Sequence, residues 1–389
     1  MSEYIEWRSR QNVKRFQLFN KEKFYRDLKN IEYSWTGRMD TNIANIWIME
    51  AVQQIVNAME LFELGYLDCA YYSLRTAIDL SEVMAFLCDL QENDRGKYYN
   101  VWRKRQRFPF KKDMINKLIA ADNNFSDMYK AMPEFFRQAK VLSGQLNKIV
   151  HKQGYTYFYV LRNQSVFDLK SDEILAKDFE QKLKGCISFV AVMRLGIDPF
   201  PILLTEEDLL FRQFYSFTEP YDKDFVDEYI GSINISRYKK TKNYLDTREQ
   251  IEQLPKITQT VFDIARYHVI DTTKKEEIMS QLQLLAKYDI ACTIIALASN
   301  KVTKIYPGAI GWCYSTDKTP RDDLTTFIDG QLLVLASKQE YINKASAKMF
   351  ASAFWFEDGY YVVEHARPFT GKEVSRIKQE VEQMLLAGK

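Results

Sequence analysis

Asn147 and His151 stand four residues apart in the stretch Leu142-Ser-Gly-Gln-Leu-Asn147-Lys-Ile-Val-His151. On a helix that spacing brings both side chains to one face, together with Lys140 and Ser143. An imidazole so placed can take the proton of a 2′-hydroxyl or give one to a leaving oxygen, the acid–base work of RNA cleavage. The other reading of this histidine is a helix-end role near Gly154, set against the last carbonyls and the negative end of the helix dipole.

A second set of chemical groups lies in Leu67-Asp-Cys-Ala-Tyr-Tyr-Ser-Leu-Arg75-Thr-Ala-Ile-Asp79-Leu-Ser-Glu82. On a helical wheel Asp68, Tyr71, Tyr72, Arg75, Asp79, Glu82 and Phe86 fall opposite an apolar stripe of Leu74, Ala77, Ile78, Ser81, Ala85 and Cys88. Arg75 and Asp79 are spaced to meet. In a groove, Arg75 would present its planar fork to a phosphate, and Tyr71, Tyr72 and Phe86 would stack on bases. On a free surface the same residues are a solvated face laced by ion pairs.

Between these two stretches the chain is strongly basic. From Arg95 to Lys117 there are nine basic residues against one acid, Asp113. The centre, Trp102-Arg103-Lys104-Arg105-Gln106-Arg107-Phe108-Pro109-Phe110-Lys111-Lys112, interleaves cations with aromatic rings. Cations neutralise phosphates and rings stack on unpaired bases, so Trp102, Arg103, Lys104, Arg105, Arg107, Phe108, Lys111 and Lys112 are the candidate nucleic-acid contacts. A merely solvated connection is the alternative.

The two helical stretches resemble the signature of HEPN-type proteins, a superfamily of small helical bundles with many RNA-cutting toxins and defence proteins. The family motif is Arg, a polar residue that is often Asn, a few variable residues, then His. Asn147 and His151 match it, and Leu146 stands where the arginine belongs. The resemblance spans about residues 41–195. It implies an RNA-binding bundle with a metal-independent ribonuclease site at His151 and Asn147, with Arg75 replacing the missing arginine. It also implies a homodimer and a bacterial stress or anti-phage setting. The departure at Leu146 keeps a second reading open, in which the bundle is a non-catalytic module for dimerisation or for a protein partner.

Composition bounds these readings. The chain has 389 residues, 46% hydrophobic and 14% aromatic, enough for two domains with real cores. With 54 basic and 52 acidic residues, global charge does not argue for nucleic acid, and only the local cluster does. Five scattered cysteines and three histidines offer no metal-site spacing and fit a reducing compartment, so no metal and no cofactor are expected. P-loop, dinucleotide and nucleophile-elbow motifs are missing. The N-terminus lacks a signal-peptide pattern, and the longest apolar run, Ile290 to Ala298, is about half a membrane span. A cytoplasmic protein that does not enter the membrane is expected. His365 and His268 read as a surface strand-end residue and a helix-end residue.

The elements that would position these groups follow from periodicity. Thr41 to Leu64 is an amphipathic helix ended by Gly65, and a second helix runs from about Asp68 to Leu90, so the two should pack antiparallel. Further helices are expected near 112–121, 133–151 and 172–195, then 251–267 and 274–300. Residues 302–319 read as loop with short extended pieces, and 331–336 as a strand. Asp358-Gly359 between aromatic and β-branched runs favours a hairpin, and Thr370-Gly-Lys-Glu373 is a capping box opening the last helix. The expected fold is mainly α: an antiparallel, HEPN-like helical bundle over residues 1–198 and an α+β domain with a β-hairpin over 199–389. The break is placed at Gly196-Ile-Asp-Pro199-Phe-Pro201.

Overall fold

The structure is a computed structural model. It describes residues 15–159, 171–308, 313–316, 340–342, 348–357 and 359–387, with Glu3, Tyr4 and Glu6. The protein is mainly helical, with an antiparallel sheet near its C-terminus.

Eight helices make the framework of the first unit: α1 (Lys21–Glu32), α2 (Ala44–Glu63), α3 (Leu67–Asp89), α4 (Glu92–Arg103), α5 (Lys111–Ala120), α6 (Asn124–Ala131), α7 (Pro133–Val150) and α8 (Asp172–Leu195). Helices α2 and α3 form the expected hairpin. Gly65, at φ 87°, lets the amides of Gly65 and Tyr66 return to Phe62 and Leu61, at 2.9 and 2.8 Å. Ile48, Val52, Ile55, Leu74, Ile78 and Ala85 are all buried along it. Helix α7 opens on Pro133, and α8 is N-capped by the Ser171 hydroxyl, which accepts the Ile174 amide at 3.3 Å.

Helices α3 and α8 are the centre of this unit. α3 packs on α2, α8, α7, α5, α4 and α6. Its supposed polar face is therefore covered: Tyr71, Glu82 and Phe86 are buried, and only part of the face, such as Tyr72, meets solvent. From Phe179 to Ile197 nearly every residue of α8 and its end is interior. A helix apolar on most sides must be enclosed on most sides.

The expected division between residues 198 and 199 is corrected. The first unit comprises residues 1–210 and 216–253, and the second comprises 211–215 and 254–389. The Gly196–Pro201 break is an interior bend. Ile197 and Asp198 are buried there, and Asp198 is tied to Arg194 on α8. The helices Ser232–Tyr238 and Lys242–Glu252 close the first unit.

In the second unit the 274–300 segment is two pieces, not one helix. Lys275–Gln281 gives way at Leu285, and α9 (Lys287–Ala298) restarts after it. The cause is Tyr215, whose hydroxyl accepts the Ala286 amide and donates to Asp289, one turn into α9. The 251–267 helix is broken likewise, since residues 254–258 with Pro255 lie outside helix. Five strands form one sheet in the order β2-β1-β5-β4-β3: β1 (Val302–Pro307), β2 (Tyr314–Ser315), β3 (Glu340–Ile342), β4 (Lys348–Phe356) and β5 (Gly359–His365). All neighbours are antiparallel. The β4–β5 hairpin closes where Phe356 pairs with Gly359. The strand expected at 331–336 lies outside the described residues. The capping box holds: Thr370 N donates to Glu373 Oε2 at 2.7 Å, and Glu373 N to Thr370 Oγ1 at 3.3 Å, opening α10 (Gly371–Ala387). No helix among the described residues is long and apolar enough to cross a membrane.

Candidate nucleic-acid interface

Two ion-paired tethers set the level of α7 against α3. Lys152, just past α7, pairs with Asp68 in the first turn of α3. Near the other end, Lys111 of α5 joins Glu82 of α3, at 2.6 Å, to the Ser143 hydroxyl of α7, at 2.9 Å. The helices therefore run antiparallel. Arg75 lies midway between Asp68 and Glu82, and Asn147 lies between Ser143 and Lys152, so these two share one level. His151 sits one turn nearer the Asp68 end, about 6 Å along the axis from the level of Asn147 and Arg75 at 1.5 Å per residue.

Arg75 also leans the other way. Its Nη2 is 3.5 Å from Asp79 Oδ2, one turn further from His151. The guanidinium is thus neutralised within its own helix. The structure brings Arg75 and Asn147 to one layer of the bundle and leaves His151 outside that layer. His151 is exposed at the end of α7, where its amide still bonds the Asn147 carbonyl at 2.9 Å. The next residue, Lys152, adopts φ 53° and completes a Schellman turn: Lys152 N reaches Ile149 O and Gln153 N reaches Lys148 O. Leu146, in the motif arginine's place, is fully buried.

The layer between α3 and α7 carries buried polar atoms with no protein partner among the described residues: Arg75 Nε, Glu82 Oε2 and Asn147 Oδ1. Burial pushes the Glu82 carboxyl up to about 7, outweighing the pull of Lys111, while Asp79 adds a push and Arg75 a weaker pull. Asp79 is raised as well, first by burial, against Arg75 and Lys111. These groups are what a wheel reading treats as a surface ladder. Covering by α5 and α7 changes their chemistry.

The basic segment wraps the end of α4 and the start of α5. Arg103, Lys104 and Arg105 are exposed around a second Schellman turn, with Arg105 at φ 53° and its amide 3.0 Å from Trp102 O. Trp102 is not a free stacking platform: it meets Trp47 edge-on at 5.0 Å. Phe108 is half-buried with its ring edge-on to Phe86 at 5.8 Å, which pins the segment to α3. Tyr71 and Phe86, expected to stack on bases, are interior: Tyr71 packs on Phe179 at 5.4 Å, and Phe86 on Tyr98 at 5.0 Å.

What remains open is a recess of about 550 Å³ between α4 and α5. Its walls include Lys97, Tyr98, Arg107, Phe108, Phe110 and Lys117, with Asp113 the one acid. Phe110 is 73% exposed. Lys97 and Lys117 each approach the Tyr98 ring at 5.8 Å, so the floor is already a cation–aromatic arrangement. Of the expected contacts, Arg107 and Phe108 line the recess, Arg103, Lys104, Arg105 and Lys112 are exposed nearby, and Lys111 turns inward to Glu82. The exposed ring of Phe110 and the contributions of Lys97, Tyr98 and Lys117 were not singled out by spacing. Their helix phases only matter once α4 and α5 are folded against each other.

Of the remaining histidines, His268 ends a helix as expected, and His365 departs from its sequence reading. His365 is buried, not on the surface. Its Nδ1 is 2.7 Å from the Arg367 carbonyl, its Nε2 accepts the Ser352 hydroxyl at 2.9 Å, and Phe369 stacks on it at 3.9 Å. His268 sits in a left-handed turn with Tyr314 edge-on at 4.8 Å. No cluster of His, Cys, Asp and Glu among the described residues could hold a metal ion. No family model, curated protein or solved structure matches this chain.

Proposed function

We propose that the protein binds unpaired RNA in the recess between α4 and α5. The observation that carries the reading is Phe110, largely exposed among Lys97, Arg107 and Lys117. An exposed ring costs free energy in water and suits a stacked base, while the three cations suit the flanking phosphates. The local charge does this in a chain whose net charge is only +2.

Cleavage is the further step of this reading. It rests on the HEPN resemblance and on His151 being exposed. With Arg75 held at another level, the phosphate-binding partner of His151 would come from a second copy, in keeping with the homodimer that the resemblance implies. The stress or defence setting rests on the resemblance alone. A non-catalytic interaction module is the second reading, supported by buried Leu146 and by the Arg75–Asp79 pair.

The test is purification without nuclease, followed by binding of single-stranded RNA across a salt series. Changing Arg103, Lys104, Arg105 and Arg107 together to Ser should weaken binding and lower the salt slope by about 3, at ~0.7 per lost phosphate contact. Equal affinity and slope in the variant would remove the basic segment from the interface. His151→Ala should cost ~10²–10⁴ in cleavage rate if the bundle cuts RNA. Wild type that binds RNA and does not cut it would remove the cleavage step, and wild type that does neither would leave the interaction module.

A further inference from the structure

Glu82 and Lys111 are an unequal pair. The carboxylate side chain is 4% exposed and the lysine 37%, so the bond joins an interior acid to a cation at the surface edge. Lys111 directly follows the exposed Phe110 and opens α5, in the middle of the basic segment. Its ammonium is spent inward, on Glu82 and on Ser143. The other oxygen of Glu82 has no protein partner among the described residues. The charges acting on Glu82 are Lys111 from α5 and, along its own helix, Asp79 and Arg75, while α7 contributes the Ser143 hydroxyl held by the same ammonium. Helix α3 therefore presents two acids and one arginine here, and Lys111 is the cation that balances them.

We propose that Lys111 is a phosphate ligand held in reserve by Glu82, so that RNA draws the ammonium off the carboxylate and Glu82 takes up a proton as it lets go. The inference rests on the RNA-binding reading above and names a phosphate subsite within it. The balance is simple: protein, RNA and one solvent proton give the complex, with the proton on Glu82. Leaving a buried carboxylate ionised without its cation is costly, and protonation removes that cost. Burial already brings Glu82 up to about 7, so the proton is available near neutral pH. The same step would turn a neutralised layer into a cationic one when ligand arrives, and keep it neutral otherwise.

The experiment is binding of a short single-stranded oligouridylate between about pH 6 and pH 8.5, with calorimetry in two buffers of different protonation heat. Wild type should bind more tightly as pH falls, by up to ~tenfold per pH unit at the steepest, and should take up close to one proton on binding above pH 7. Glu82→Gln, matched in shape and checked for wild-type helicity, should bind at the higher pH as tightly as wild type does at the lower, with no proton uptake of its own. Lys111→Met should weaken binding and also lose the uptake. If wild type and Glu82→Gln share one pH slope, or Lys111→Met keeps wild-type affinity and uptake, the latch is overturned while RNA binding stands. If no protein binds the oligonucleotide at any pH, RNA binding and the latch both fall.

Discussion

Arg194 and Asp198 face each other one helical turn apart where α8 ends, with Nη2 3.1 Å from Oδ1 and no part of Arg194 exposed. The arginine also donates from Nε to the Ser34 carbonyl at 2.5 Å, and Asp198 accepts the Thr36 hydroxyl and the Phe200 amide, at 2.5 and 3.2 Å. The pair thus holds the chain after α1 against the Gly196–Pro201 bend. Removing one partner of a buried, hydrogen-bonded pair strands the other charge. Asp198→Ala should therefore lower unfolding free energy by about 3–5 kcal/mol in urea. A loss under about 1 kcal/mol would mean that the bend holds itself, as a solvent-exposed pair would allow.

Asp89 ends α3 and caps α6. Its Oδ2 accepts the Phe125 amide at 2.9 Å. Burial nevertheless pushes its carboxyl up to about 7, beyond what the Phe125 amide and Arg38 pull back. A raised carboxyl favours the folded state below its ordinary range near 3.8, and that contribution is lost as pH rises through about 7. Asp89→Asn keeps an acceptor for Phe125 and removes the titration. Relative to wild type it should flatten the fall in stability between about pH 4 and pH 7, by something on the order of 3 kcal/mol. Parallel curves for the two proteins would refute the assignment.

His365 works with the opposite sign. Burial depresses its imidazole below the ordinary 6.5, against the Arg367 carbonyl that favours the proton. A lowered histidine stabilises the fold above pH 6.5 and withdraws that stability as pH falls through its folded value. Protonation also turns Nε2 from an acceptor of the Ser352 hydroxyl into a donor. Thermal scans should show the second unit losing stability as acid is added below 6.5, and His365→Gln should lose the acid-sensitive part. An acid limb unchanged in the variant would assign that sensitivity elsewhere.

Arg105 pays a backbone cost that glycine would not. Its φ of 53° is the left-handed position just past a helix end. Side chains there cost ~1–2 kcal/mol, offset partly by the extra chain entropy glycine loses on folding. Arg105→Gly should raise stability by roughly 0.5–1 kcal/mol and weaken RNA binding slightly, through the loss of one cation. Lower stability in the variant would show that the arginine side chain packs favourably enough to offset its backbone.

Much of the bundle is legible in sequence. The three-and-four spacing of Ile48, Val52, Ile55 and Met59 fixes α2, Pro133 opens α7, and Thr370 with Glu373 opens α10. These are local patterns, and local hydrogen bonds satisfy them. The enclosure of α3 is not legible. A wheel places Arg75, Asp79 and Glu82 on one face but cannot say how many helices lie over it, because covering is a long-range event made by α5 and α7. The break before α9 is hidden for the same reason: Tyr215, far back in the chain, supplies the hydroxyl that takes the Ala286 amide. His365 looks like a strand-end surface residue until Phe369 folds back over it. For the candidate interface, composition finds the basic segment, but only the packing of Trp102 on Trp47 and of Phe108 on Phe86 decides that Phe110 is its most exposed ring.

The exposed turn from Arg103 to Arg107 makes the protein a substrate in its own right. It offers four cationic side chains in five exposed residues, a pattern that trypsin-like proteases read. A cut there separates α1 to α4 from everything after, yet α3 lies before the cut and is packed against α5, α7 and α8 after it. The nicked chain should therefore elute as an intact particle and part into two bands only under denaturing conditions. If the proposed RNA binding holds, bound RNA should slow the nick, and the rate of cutting becomes a label-free gauge of occupancy.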